Sequence, residues 1–159
     1  MRPAPPGTML RKYGLAPAKG RGQNFLADRN AAAKVVAAVD PGPGDIVVEV
    51  GPGFGAITFG LAERARHVVA VELDSGIASA FRSEYGDVPG VELVEGDFLE
   101  LDLGRVAREH NASEIIVAGN LPYAITSPVL ERIVGARDVV RRAVVMVQAC
   151  LSLGWQARY

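Results

Sequence analysis

From residue 46 onward, short apolar runs rich in valine and isoleucine alternate with segments whose apolar positions recur at helical spacing. The runs IVVEV (46–50), HVVAVEL (67–73), VELVEGD (91–97), EIIVAGN (114–120) and RAVVMVQ (142–148) read as five strands. Between them AITFGLAERA (56–65), SGIASAFRSEY (75–85), LGRVAREH (103–110) and SPVLERIV (127–134) read as helices. Ahead of the first strand, Asp28 is placed to cap a helix over RNAAAKVVAAV, which Asp40-Pro41-Gly42 stops. Strands apolar at nearly every position are buried on both faces, and strands separated by helices pair in parallel. The pattern therefore predicts a Rossmann-like α/β domain: a mostly parallel sheet with helices on both faces.

Such sheets bind ligands beyond the carboxyl ends of their strands, where the strand order reverses. The predicted strands end in Gly51-Pro52-Gly53-Phe54-Gly55, in Glu72, in Asp97 and in Asn120. Glycines there let the backbone approach a ligand and adopt positive φ. Gly51, Gly53 and Ala56 satisfy G-x-G-x-x-G/A, with Glu72 about 20 residues on to accept a ribose diol. This spacing alone suits NAD and S-adenosylmethionine equally. Glu72 is expected at a solvent-facing strand end. Asp97 suits the exocyclic amine of an adenine, or else caps the turn that follows.

Charge adds one asymmetry. Residues 1–27 carry Arg2, Arg11, Lys12, Lys19 and Arg21 and no acid, while the rest of the chain has a net charge of −6. A basic arm on an acidic body suits contact with a polyanion, or else is a solvated, disordered tail. The single cysteine, Cys150, excludes a disulfide frame and a thiolate metal cluster. His67 and His110 stand apart in sequence and from any metal-ligand spacing, so no metal is expected. No apolar stretch is long enough to span a bilayer, and the proline-rich start is not a signal peptide, which makes a cytoplasmic location the expectation.

The stretch GNLPYAITSP (119–128) points to the reaction. An aryl amine is a poor nucleophile because its lone pair is delocalised into the ring. Two acceptors on its hydrogens, the Asn120 side-chain oxygen and the Leu121 carbonyl, would favour a pyramidal nitrogen. Pro122 stiffens the turn, and Tyr123 offers a flat face for an extruded base, worth about 1–3 kcal/mol. With the lone pair aimed at a sulfonium methyl, orientation supplies most of the catalysis and no general base is needed.

GRGQNFLAD, VEVGPGFGAIT, VELD, EGDF, GNLPY and MVQ together resemble the KsgA-type ribosomal RNA adenine dimethyltransferases, relatives of the Erm enzymes, over roughly residues 19–148. QNFL combined with NLPY is highly specific, and an NAD enzyme has neither. The resemblance implies S-adenosylmethionine as cofactor, contacted by Asn24, Leu26, Gly51, Glu72, Asp97 and Asn120, with Tyr123 at the target base; Gly53, from the spacing of the glycine loop, is expected to join the cofactor-binding residues. It implies dimethylation of adenine N6 in small-subunit ribosomal RNA during subunit assembly, by a protein that is a monomer when complete. GQNFL and the short arm favour this over an Erm-like large-subunit substrate. A non-catalytic RNA-binding assembly factor would share the fold.

The implied organisation is a basic, proline-rich arm (1–22), the methyltransferase domain (23–148) and a remnant of a later strand (149–159). After Gln148 the family's charged helix and loop are not found, and CLSLGWQARY resembles its later strand. A parallel strand needs a crossover of a dozen or more residues. The expectation is a damaged or partial chain without the C-terminal helical domain, an uncovered edge near Val144, Val145 and Val147, and an exposed Trp155.

Overall fold

A computed structural model describes residues 1–16 and 25–147. Its elements run α1 (Pro6–Lys12), α2 (Arg29–Val39), β1 (Ile46–Val50), α3 (Thr58–Ala62), β2 (His67–Glu72), α4 (Ser75–Tyr85), β3 (Val91–Glu95), α5 (Leu103–Glu109), β4 (Ile115–Leu121), α6 (Thr126–Gly135) and β5 (Val140–Val147). The five strands form one sheet in the order β3-β2-β1-β4-β5, and every pairing is parallel. The chain builds outward from β1 through β2 to β3, then crosses back to lay β4 on the other side of β1. The order thus reverses between β1 and β4, and a crevice opens there at the carboxyl ends.

The helices begin and end where local chemistry directs. Asp28 accepts the Asn30 and Ala31 N–H groups at 2.8 and 3.3 Å, and Asp40 ends α2 in the left-handed conformation. The buried residues of α2, Ala32, Val35, Val36 and Val39, recur at i, i+3, i+4 and i+7. They cover one sheet face with Ile57 and Leu61, against Val47, Val68, Ala70, Ile116 and Ala118. Leu103, Val106 and Ala107 of α5 and Val129 and Ile133 of α6 cover the other, against Val48, Val69, Val71 and Val117. Helix α3 is shorter than the sequence pattern predicts, because Gly51–Ile57 is a loop and turn rather than helix.

Two expectations are corrected. The first 16 residues are not a solvated tail: Pro6 sits in the first turn of α1, where its missing N–H costs nothing, and Met9 is fully buried. Met9 packs with Phe54 of the glycine loop and with Ile77 and Ala80 of α4. Tyr85 fixes the entry, accepting the Ala4 N–H at 2.9 Å and donating to the Phe54 carbonyl at 3.1 Å. His67 and His110 are not isolated either, since their rings lie 4.6 Å apart. Among the described residues β5 is an edge strand, with Val147 exposed. Gln148, Cys150 and Trp155, and with them the expected remnant strand, lie outside the described residues. No described helix is long and apolar enough to cross a membrane.

Candidate active site

Beyond the carboxyl ends of the strands lies a cavity of about 410 Å³. β1 delivers the glycine loop to it, β2 Glu72, the turn after β3 Asp97, and β4 Asn120 followed by Pro122. Phe25 and Leu26 also line it, as do Pro3, Ala4 and Pro5 ahead of α1 and Pro6, its first residue. Leu26, Gly51, Gly53, Glu72, Asp97, Asn120 and Pro122 therefore line one space. Asn24 lies outside the described residues. Leu121 is the last residue of β4, with its side chain in the core, so only its backbone is available to a ligand. Tyr123 is 64% exposed and stands outside the cavity lining, one residue past Pro122.

The glycine loop is shaped by backbone requirements. Gly51 and Gly53 have φ of +66° and +55°, where a side chain is strained. A Cβ on Gly53 would also sit 3.2 Å from the Phe25 ring, which stacks on Phe54 at 4.8 Å between centroids. A Cβ on Gly51 would meet no protein atom within 4 Å. The space beside Gly51 belongs to the cavity rather than to packing.

Glu72 departs from expectation, being only 5% exposed. Its Oε2 accepts the Gly53 N–H at 3.2 Å and its Oε1 the Asp74 N–H at 3.0 Å. The acid at the end of β2 thus holds the glycine loop of β1 in place. Burial pushes its carboxyl above the usual range, and the Asp74 and Gly53 N–H groups pull it partly back. Each carboxylate oxygen still has a lone pair for a ligand hydroxyl. Asp97 caps the following turn, its Oδ1 accepting the Leu99 N–H at 2.8 Å, and also lines the cavity.

Glu49 is the site residue that the sequence reading missed. It lies within β1 and is 1% exposed, in register with Ala70 on β2 and Ala118 on β4, whose small side chains leave it room. It lines the cavity, and its Oε2 has no hydrogen-bond partner among the described residues. Burial pushes its carboxyl from the ordinary 4.5 to about 8, with the Glu72 carboxylate adding to the rise. The Thr58 hydroxyl opposes the shift and outweighs the Glu72 contribution, but not the effect of burial. The signal was present in IVVEV: a lone charge inside a wholly apolar strand has to serve something.

A parallel sheet of this order, with a glycine turn after β1 and an acid ending β2, is the class I S-adenosylmethionine-dependent methyltransferase fold. The chain belongs to the ribosomal RNA adenine dimethylase family, whose profile matches residues 18–158. The ribosomal RNA small subunit methyltransferase A of Geobacter sulfurreducens is 42% identical over 139 residues, covering 87% of this chain and 50% of the relative. That of Moorella thermoacetica is 41% identical over 156 residues, covering 94% and 54%. The chain spans about half the length of the curated relatives it matches. Among solved structures, the 23S rRNA methyltransferase ErmE is 31% identical with a TM-score of 0.67, covering 79% of this chain and 48% of that one. A dimethyladenosine transferase from Plasmodium falciparum is 26% identical with a TM-score of 0.65, covering 79% and 44%.

Proposed function

We propose that this chain carries the methyl-transfer site of an enzyme that dimethylates adenine N6 in small-subunit ribosomal RNA, with S-adenosylmethionine as donor. The observation that carries the reading is the convergence of Gly51, Glu72, Asp97 and Asn120, from four strand ends, on one cavity. The cavity fits the donor chemically. Its unpartnered, buried Glu49 carboxyl is an acceptor for an α-ammonium group, which NAD lacks. When bound, S-adenosylmethionine supplies an electrophilic methyl on a sulfonium.

The chain's own residues do the rest. Asn24, Leu26, Gly51 and Gly53 frame the cofactor, and Glu72 accepts its ribose hydroxyls while keeping its two N–H partners. Asp97 accepts from the adenine amine through the oxygen that does not hold Leu99. The Asn120 side chain and the Leu121 carbonyl accept from the target N6 amine and direct its lone pair. Pro122, with φ −62° and ψ 147°, sets the extended turn, and the exposed ring of Tyr123 stacks the extruded base. No metal takes part in the transfer.

The partner is ribosomal RNA in an assembling small subunit, met in the cytoplasm, and the complete protein acts as a monomer. The names of the relatives, at 41–42% identity, favour the small-subunit substrate over that of ErmE at 31%. Calorimetry with S-adenosylmethionine and with NADH tests the cofactor. Saturable binding of the first alone, weakened by Asp97→Ala, supports the reading, and binding of NADH instead would refute it.

A further inference from the structure

The opposite end of the sheet carries a cluster that the proposed transfer does not use. His67 opens β2, and Glu92, on β3, is in register with Val69, two residues along from His67. Directly paired residues of a parallel sheet share a face, as do residues two apart along a strand. His67 and Glu92 therefore project on the face that carries Val69, which α5 covers. On α5 the buried Leu103, Val106 and Ala107 are followed by His110, which completes the i, i+3, i+4, i+7 stripe. The helix thus lowers His110 onto the same corner. The Arg66 guanidinium, bonded to the His110 carbonyl, ties the end of the helix there.

We propose that His67, Glu92 and His110 bind one borderline divalent cation, with Zn²⁺ as the prototype, through two imidazole nitrogens and a carboxylate oxygen. One ligand atom from each residue lies within 4.8 Å of the others. Glu92 Oε2 is 3.7 Å from His67 Nε2 and 3.5 Å from His110 Nε2. Tetrahedral Zn²⁺ with bonds of about 2.0–2.2 Å places its ligand atoms about 3.3 Å apart. Both carboxylate–imidazole separations are thus within a few tenths of an ångström of that value, and small side-chain rotations bring in the rest. His67 Nε2 is buried and has no hydrogen-bond partner among the described residues, a deficit that a metal would fill. Two imidazoles and one carboxylate select Zn²⁺, Co²⁺ or Ni²⁺ over Mg²⁺ or Ca²⁺, which take oxygen ligands. Three protein ligands leave a fourth position to water. The site lies five residues, or about 17 Å, along β2 from Glu72. It pins the start of β2 and β3 to the end of α5 and takes no part in chemistry.

The test uses the tag-free chain carrying Cys150→Ser, which removes the thiol as a competing ligand. Zn²⁺ is titrated against a chromophoric chelator, and Co²⁺ is added to read the d–d spectrum of a tetrahedral site. The expected result is one equivalent bound per chain, a melting temperature that rises with Zn²⁺, and affinity lowered about a hundredfold by Glu92→Gln or His110→Ala. Both variants must first match the parent in metal-free melting temperature. Glu92→Gln, being isosteric and half-exposed, is the one to read if His110→Ala does not. No saturable uptake by the parent, or variants that keep its affinity, would overturn the proposal and leave the trio an ion-pair cluster only.

Discussion

Replacing Glu49 by glutamine should stabilise the protein at neutral pH while weakening its hold on the cofactor. The native carboxyl titrates near 8 rather than 4.5 because burial disfavours its charged form. Between those values the folded state keeps a proton that the unfolded state has lost. Stability therefore falls as pH rises through this window, by about 1.4 kcal/mol per pH unit. At pH 7 the accumulated cost is about 3 kcal/mol, and above pH 8 it levels off near 5 kcal/mol. Glutamine has the same shape and no ionisation, and its amide N–H can reach Thr58 Oγ1, which otherwise lacks a partner. Glu72 is also raised by burial and adds a slope of the same sign, but it does so in both proteins. Urea melts from pH 5 to 8.5 check the effect. The two proteins should nearly coincide at pH 5 and diverge steadily, with the variant about 3 kcal/mol ahead at pH 7. S-Adenosylmethionine affinity should move the other way, because a bound ammonium draws the proton off the carboxyl and pairs with the carboxylate, whereas an amide stays uncharged. Parallel stability curves, or a variant less stable than the parent at pH 7–8, would refute the account of Glu49.

Glu72→Ala should do more than remove a ribose acceptor, because the Gly53 and Asp74 N–H groups lose theirs too. Each donor left unsatisfied costs about 1–3 kcal/mol, so denaturant melts should show a loss of about 2–6 kcal/mol along with lost cofactor binding in calorimetry. A variant of unchanged stability would mean that the glycine loop holds itself. Met9→Ala empties a fully buried site between α1, the glycine loop and α4. The expected cost is about 2–5 kcal/mol, read by thermal melts, with weaker cofactor binding because the segment ahead of α1 forms a cavity wall. A cost below about 1 kcal/mol would show α1 to be only loosely docked.

Much of the fold was legible because its signals are local and agree. Valine and isoleucine runs, the Asp28 cap and the stop at Asp40 each specify their element, and helices between parallel strands leave few topologies. The strand ends point to the cavity from sequence alone, since a parallel sheet collects them on one edge. What the sequence hid depends on contacts between distant segments. Helix α1 is masked by its prolines, and its helical conformation is reinforced by Met9 burying against Phe54, Ile77 and Ala80. Glu72 reads as solvent-facing until the glycine loop folds over it. His67 and His110 are 43 residues apart and meet only through the register of β2 with β3 and the phase of α5. Glu49 shows that charge inside an apolar strand deserves the same weight as a motif.

The central claim is that Asn120, at the end of β4, directs an adenine N6 amine toward a methyl donor bound in the cavity. The most direct measurement is single-turnover methylation of unmodified small ribosomal subunits by excess 159-residue chain with isotope-labelled S-adenosylmethionine. Nucleosides are then digested and resolved by mass spectrometry, with Asn120→Ala run in parallel and its cofactor affinity measured. The account predicts labelled N6-methyl- and N6,N6-dimethyladenosine from the parent, and none from a variant that still binds cofactor. Label at any other atom, no label from the parent, or full turnover by Asn120→Ala would contradict it.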